Sequence, residues 1–262
     1  MQVVFFNGNL NKGEVIKIKY MGSKSRIAKD IVPIIQKCIN DNNIDIYIEP
    51  FVGGANIIDK IKCKSRIGND SNEYLIDFWK AMQNGLNLKS ISIDKDIYIH
   101  IRDNKNKYSK YMVAVAGILA SYNSKWFAGY AKPHYVSPTC TRYYYKESVN
   151  NVLKQIPNLM SVKFTCGNYN EINSNNAMIY CDPPYENTTG FKDKFDHKEY
   201  WKWVRQTSMN NFVLCSEYSA PNDFTEIWSG EVKITLDNAS RSKSVEKLFT
   251  YKDGLYAKTI SI

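Results

Sequence analysis

The chain has 262 residues, 44% of them hydrophobic, enough to enclose a core as one large domain, and 35 Lys and Arg against 26 Asp and Glu leave it at +9. Six cysteines without a C-x-x-C pair and three histidines scattered at 100, 134 and 197 exclude the usual zinc patterns and a disulfide scaffold, so no metal site is expected. No apolar run of membrane-spanning length occurs and Met1 to Tyr20 lacks the regions of a signal peptide, so the expectation is a soluble, cytoplasmic protein whose charge, with 19 Tyr and 5 Trp, suits nucleic acid.

In chain order, "IKYMGSKSRIAKDIVPIIQKCI" carries Ile27, Ile31, Ile34 or Ile35, and Ile39 at helical spacing, which predicts a helix from near Ser25 with a kink or late start at Pro33. "IDIYIEPFVGGAN" predicts a strand over 44–48 that ends in acid, proline, aromatic and paired glycines before a helix near Asn56. "SRIGNDSNEYLIDFWKAMQNG" repeats the plan: a strand at 66–68, a polar turn at Asn69 and Asp70, and a helix stopped at Gly85. Two such units in tandem imply a parallel sheet.

Between residues 90 and 160 the alternation breaks. A small-residue apolar helix over 111–120 gives way to an aromatic, basic stretch punctuated by Gly and Pro. The plan returns with "AMIYCDPPY" and "NFVLCSEYS", two buried-type strands flanking the helical "DHKEYWKWVRQTSMN". "EVKITLD", "EKLFTYKD" and "AKTISI" predict closing strands with turns at 238–243 and at Asp253-Gly254. The organisation expected is therefore an α/β catalytic domain in two parts, 1–89 and 161–262, around an inserted unit of helices and loops at 90–160.

Three motifs carry chemistry. In "EPFVGGAN" the glycines allow backbone to approach a ligand, although the pattern is neither G-x-G-x-x-G nor a P-loop, and a plain tight turn fits it too. Asp70, at the end of the next strand, stands where a carboxylate accepts from a ribose diol; helix capping is the competing use. In "DPPY", Asp182 and the carbonyl of Pro183 offer two acceptors for the hydrogens of an exocyclic aromatic amine, localising its lone pair. Pro183 and Pro184 stiffen that grip, and Tyr185 offers a face to a planar base.

Together these segments resemble the Dam-like DNA adenine N6-methyltransferases over about residues 19–249, through "KYMGSK", "EPFVGGAN", "NDSNEYLIDFW", "TCGNY" and "DPPY" in that order. The resemblance implies a seven-stranded Rossmann-like methyltransferase fold with an inserted target-recognition unit. It implies S-adenosylmethionine as cofactor, held by Tyr20, Lys24, Phe51, Gly53, Asp70, Asn168, Tyr169 and Asp182, and double-stranded DNA as partner. Catalysis would fall to Asp182, Pro183, Pro184 and Tyr185. Ser216, Glu217 and Tyr218 resemble a late motif that shapes the target-base pocket. In "SYNSKWFAGY", Tyr122 and Asn123 would meet the gap left by an extruded base, and Lys125, Lys132 and Arg142 would meet phosphates. The chain departs from the family in Asn168, where Asp is usual, in its G-G-A loop, and in Phe127, where GATC-methylating members have a guanine-reading arginine. An amino-methyltransferase acting on RNA or on a protein glutamine, and a non-catalytic DNA-binding regulator, are the rival readings; Asp182 and the basic insertion count against the glutamine enzyme, and the intact DPPY against the regulator.

Overall fold

The computed structural model describes residues 24, 27–137, 140–185, 195–237 and 240–259. Helix α1 (Ala28–Asp41) buries Ile31, Ile35, Cys38 and Ile39 along one stripe, and it runs through Pro33, which costs it one backbone bond and no break. Strand β1 (Ile46–Glu49) then enters the sheet, a little later than expected. The helix expected near Asn56 is only a single 3-10 turn, Ile58–Lys60. Between β1 and β2 (Ser65–Asp70) the glycine loop uses up the first half of the crossover, and too few residues remain for a packed helix. Helix α2 (Glu73–Gln83) is capped by the Asn72 side chain, which accepts from the Tyr74 and Leu75 N–H groups, and the chain leaves it through Gly85 at φ 86°.

Residues 90–160 hold α3 (Lys95–Asp103) and α4 (Lys110–Ala114), which continues as a π-helical turn over Val115–Leu119. After it come a two-stranded antiparallel hairpin, β3 (His134–Ser137) with β4 (Cys140–Arg142), and α5 (Tyr144–Leu159). The hairpin leaves no alternating pattern in the sequence because nearly all its side chains face solvent. In α5 the buried stripe includes Ser148 and Gln155 among Val149, Val152 and Leu159, which hides its period.

The remaining strands are β5 (Val162–Cys166), β6 (Met178–Cys181), β7 (Phe212–Glu217), β8 (Phe224–Asp237) and β9 (Ser240–Tyr251), with α6 (His197–Ser208) between β6 and β7. Seven of the nine strands among the described residues form one sheet in the order β5-β2-β1-β6-β7-β9-β8, in which β9 alone runs antiparallel, pairing in that sense with both β7 and its hairpin partner β8. Of the expected "AKTISI" strand, residues 257–259 lie instead in α7 (Leu255–Thr259), and the rest is outside the described residues. The chain turns there at Gly254, where a Cβ would lie 2.9 Å from the Ser208 Cβ and 3.2 Å from the Tyr251 carbonyl oxygen, and Tyr256 and Ala257 are then buried. Of the turn expected at 238–243, residues 240–243 lie in β9, and 238–239 are outside the described residues.

The pleat divides the core. Met178 and Tyr180 face one apolar cluster with α1 and α2, while Ile179 and Cys181 face a second with Trp201, Trp203 and Phe249. Tyr98, Ile101, Val113 to Ala120, Val149 and Val152 join the first cluster, so the 90–160 segment shares its core with the sheet. Close packing at β2 requires Gly68: a Cβ there would stand 2.8 Å from Val52 Cγ2 and 3.1 Å from the Phe164 ring. Among the described residues no helix is long and apolar enough to cross a membrane.

Candidate active site

The sheet reverses its winding between β1 and β6, which pair in parallel through Tyr47 with Met178 and Ile48 with Ile179. Open α/β sheets have their crevice at such a point, beyond the carboxyl ends of the strands. The loops after β1, β2, β5 and β6 meet there. Asn69 ties three of them: its amide donates to the Pro50 carbonyl (3.2 Å) and the Gly167 carbonyl (2.9 Å), and its oxygen accepts from Thr165 Oγ1 (2.9 Å). The polar turn expected at Asn69 and Asp70 is instead the end of β2, where both residues pair with β5; their polar side chains mimic a turn in the sequence because they bond to loops distant in the chain.

Asp70 is not the cap of α2, a role Asn72 fills. Its Oδ2 accepts from the Gly53 N–H at 3.0 Å and its Oδ1 from the Asn72 N–H at 2.9 Å, so it binds the glycine loop to the start of α2. Burial pushes its carboxyl above the usual range and the two backbone donors pull it back. Gly53 has φ 46°, a region that favours glycine, and its carbonyl accepts from Trp79 Nε1 at 3.1 Å. Gln155 of α5 donates to the Gly54 and Ala55 carbonyls at 3.1 and 2.7 Å, so the 90–160 segment braces the same loop.

Phe51 and Tyr169 lie 5.3 Å apart, ring centre to ring centre, with Phe195 at 5.8 and 5.6 Å from them. Tyr200 and Trp203 back this aromatic wall from α6. Asn168 is exposed beside it, at the start of a 3-10 turn. Phe195 is absent from the sequence reading, and no pattern around it marks it out.

At the end of β6, Asp182 Oδ1 lies 3.0 Å from Lys24 Nζ, which also lies 3.2 Å from Glu246 Oε2 of β9. Lys24 is 7% exposed, Glu246 13% and Asp182 21%, so the aspartate is the member of the cluster most open to the crevice. Burial pushes Asp182 up to about 6, against the pull of Lys24. Burial works against the Lys24 charge, but Asp182 and Glu246 outweigh it and the lysine is raised above its ordinary value. Lys24 Nζ stands 4.2 Å from the centre of the Tyr185 ring, whose hydroxyl donates to Glu246 Oε2 at 2.7 Å. Lys24 therefore belongs to the DPPY cluster, and Tyr20 lies outside the described residues. Glu246 is missing from the sequence reading because an acid before an apolar strand looks like an ordinary solvated end.

In the late motif, Ser216 shares a hydrogen bond of 2.7 Å with the buried Tyr180 hydroxyl. Glu217 accepts the Tyr218 N–H at 2.9 Å, and Tyr218 meets the Tyr185 ring edge-on at 4.8 Å.

The 121–131 loop is tightly bonded through Tyr122 N–H to Gly129 carbonyl, Phe127 N–H to Gly117 carbonyl and Ala131 N–H to Ala120 carbonyl. Phe127 packs on Tyr98, and Trp126, though exposed, lies against Tyr74. Tyr122 stays 62% exposed, and Asn123 holds φ 51°, which Asn tolerates better than most residues. Both line a cleft of about 160 Å³ together with Arg142. Arg142 is exposed but engaged, with two bonds to Glu147 at 2.9 and 2.7 Å. Lys125 and Lys132 are exposed as well.

A parallel sheet closed by the β8–β9 hairpin, with the acid-Pro-Pro-Tyr loop at its reversal point, is the Rossmann-like methyltransferase fold. Residues 20–233 match the family described as D12 class N6 adenine-specific DNA methyltransferase, and the chain belongs to that family. It is similar to the Type II methyltransferase M.MjaIII of Methanocaldococcus jannaschii, 27% identical over 203 residues, covering 64% of this chain and 68% of that one. It is also similar to the modification methylase StsI of Streptococcus sanguinis, 24% identical over 221 residues, and M.FokI of Planomicrobium okeanokoites, 24% over 202. The match takes in 75% and 66% of this chain but only 32% and 29% of those longer proteins. Among solved structures, the rRNA methyltransferase aviRa of Streptomyces viridochromogenes overlaps 87% of this chain and 84% of its own, at 8% identity and a TM-score of 0.40.

Proposed function

We propose that the chain transfers the methyl group of S-adenosylmethionine to the N6 amine of an adenine turned out of double-stranded DNA. The observation that carries this reading is the geometry of Asp182: a partly open carboxylate at the switch point, held by Lys24 on one oxygen and followed by two prolines and an aromatic ring. The residues suit the cofactor. Asp70 uses each oxygen for one backbone N–H and keeps lone pairs for ribose hydroxyls. Phe51 and Tyr169 offer an aromatic wall to a purine, with Asn168 at its edge, and Gly53 lets the loop backbone come close.

When bound, the cofactor supplies an electrophilic methyl on a positively charged sulfur. The chain supplies position and charge. Asp182 and the Pro183 carbonyl accept from the two amine hydrogens and aim the nitrogen lone pair, while Tyr185 stacks on the base. As the nitrogen–carbon bond forms, the carbon–sulfur bond breaks to leave S-adenosylhomocysteine; the fixed carboxylate stabilises the positive charge developing on the amine, whose surplus proton then passes to solvent.

The 90–160 segment would recognise DNA, with Tyr122 and Asn123 at the base stack and Lys125, Lys132 and Arg142 at phosphates. Arg142 must exchange Glu147 for a phosphate to do so, which makes its contact worth less than that of the free lysines. The names of the relatives favour a modification enzyme that shields sites from an endonuclease. Duplex DNA against RNA is the point to test. Tritiated methyl from labelled cofactor should pass to adenine in duplex DNA and not to RNA of the same base composition. Transfer to RNA alone would overturn the reading.

A further inference from the structure

We infer that Glu246, on the antiparallel strand β9 and outside every motif of the cofactor and base sites, is a positioning residue that sets both Tyr185 and Lys24 for the transfer step. The inference rests on the proposed methyl transfer at Asp182. One oxygen, Oε2, receives the Tyr185 hydroxyl at 2.7 Å and lies 3.2 Å from Lys24 Nζ, and the lysine then reaches Asp182 at 3.0 Å. The cluster is thus a closed chain of contacts anchored in the sheet at its β9 end.

Two consequences follow from that arrangement. Tyr185 is held by its hydroxyl on Glu246, by Lys24 over its ring and by a T-shaped contact with Tyr218, so Glu246 fixes the orientation of the ring that a planar base would meet. Lys24 is also shared between two carboxylates. Its charge therefore does not belong wholly to Asp182, which stays a strong acceptor for an amine. Taking away the Glu246 charge hands the lysine to Asp182 alone and weakens that acceptor.

The groups that face Asp182 are Lys24, Glu246, Tyr185, Glu49 at the end of β1, Tyr180 and Cys181. Among these, Glu246 raises Asp182 and Lys24 lowers it. Neutralising Glu246 therefore moves the titration of Asp182 to lower pH.

The test compares wild type with Glu246→Ala, Glu246→Gln, Tyr185→Phe and the double variant Glu246→Gln/Tyr185→Phe, using unmethylated genomic DNA and S-adenosylmethionine, each varied in turn with the other saturating. Glu246→Ala should lower kcat by about tenfold or more while KM for S-adenosylmethionine stays within about twofold, because the lost contacts lie at the base and not at the ribose. The acid limb of kcat/KM should move down in Glu246→Gln. The losses from Glu246→Gln and Tyr185→Phe, in rate and in melting temperature, should fall short of additive in the double variant. Additive losses, or an acid limb that stays in place, would overturn the inference. A wild type that transfers no methyl to DNA would overturn the proposed function instead, and the melting cycle would still decide whether Glu246 holds Tyr185.

Discussion

Asp182 makes the sharpest claim at the level of single residues. In the proposed transfer it acts as an acceptor, so its ionised form would be the active one, and burial has raised it to about 6. In the free enzyme kcat/KM should therefore be full above that value and fall about tenfold per pH unit below it. Asp182→Asn keeps a carbonyl acceptor but cannot titrate, so its profile should be lower and flat through the same range. A wild-type limb well away from pH 6, or a limb that persists in Asp182→Asn, would assign the titration to another group. Stability runs the opposite way: with the folded value raised above 3.8, the contribution of this carboxyl is greatest below pH 4 and is lost as pH rises through about 6. Asp70→Ala should weaken cofactor binding by about 1.5–3 kcal/mol, the range for a hydrogen bond to a charged group. Unchanged affinity by calorimetry would move the ribose contact elsewhere.

Element by element, the strand ends were legible and their mutual bracing was not. Apolar runs ending in acid-proline pairs mark β1 and β6 in the sequence, and the breaks at Gly53 and Asp70 place the loops between them. The pattern missed the contacts that cross from one loop to another, Asn69 above all, because hydrogen-bond partners far apart in the chain leave no local period. It also misjudged α7, where "AKTISI" has a strand-like composition and the tight turn at Gly254 sends the chain into a helix. Gln155 offers a test of the bracing. Gln155→Leu leaves the Gly54 and Ala55 carbonyls without their buried donor, at about 1–3 kcal/mol. Thermal melting should fall by roughly 2–4 °C per kcal/mol in a chain of this size. No change in Tm would show that the glycine loop does not depend on α5.

For the whole molecule, an excess of positive charge and a shared core set the limits on recognition. The 90–160 segment packs through the same apolar cluster as α1 and α2, so its surface can be altered by substitution more cleanly than the segment can be removed. Lys132→Ala should weaken binding to every duplex alike and reduce the salt dependence by about one counterion. Tyr122→Ala should slow methylation of a paired adenine more than of a mismatched one, since an unpaired base costs a few kcal/mol less to extrude. Equal losses on both substrates would remove Tyr122 from the extrusion step. The exposed hairpin β3–β4 was invisible in the sequence for the same reason that makes it available to a partner, its lack of a buried face.

The central claim is methyl transfer to adenine N6 through Asp182, and it is tested most directly by the nucleoside content of host DNA after expression of this chain. Mass spectrometry should find N6-methyladenine above the background of a host lacking its own adenine methyltransferase, with the signal gone in Asp182→Ala while that variant still melts cooperatively and binds S-adenosylmethionine. An unmodified host genome with folded, cofactor-binding wild type, or the same methyladenine content with Asp182→Ala, would contradict the account.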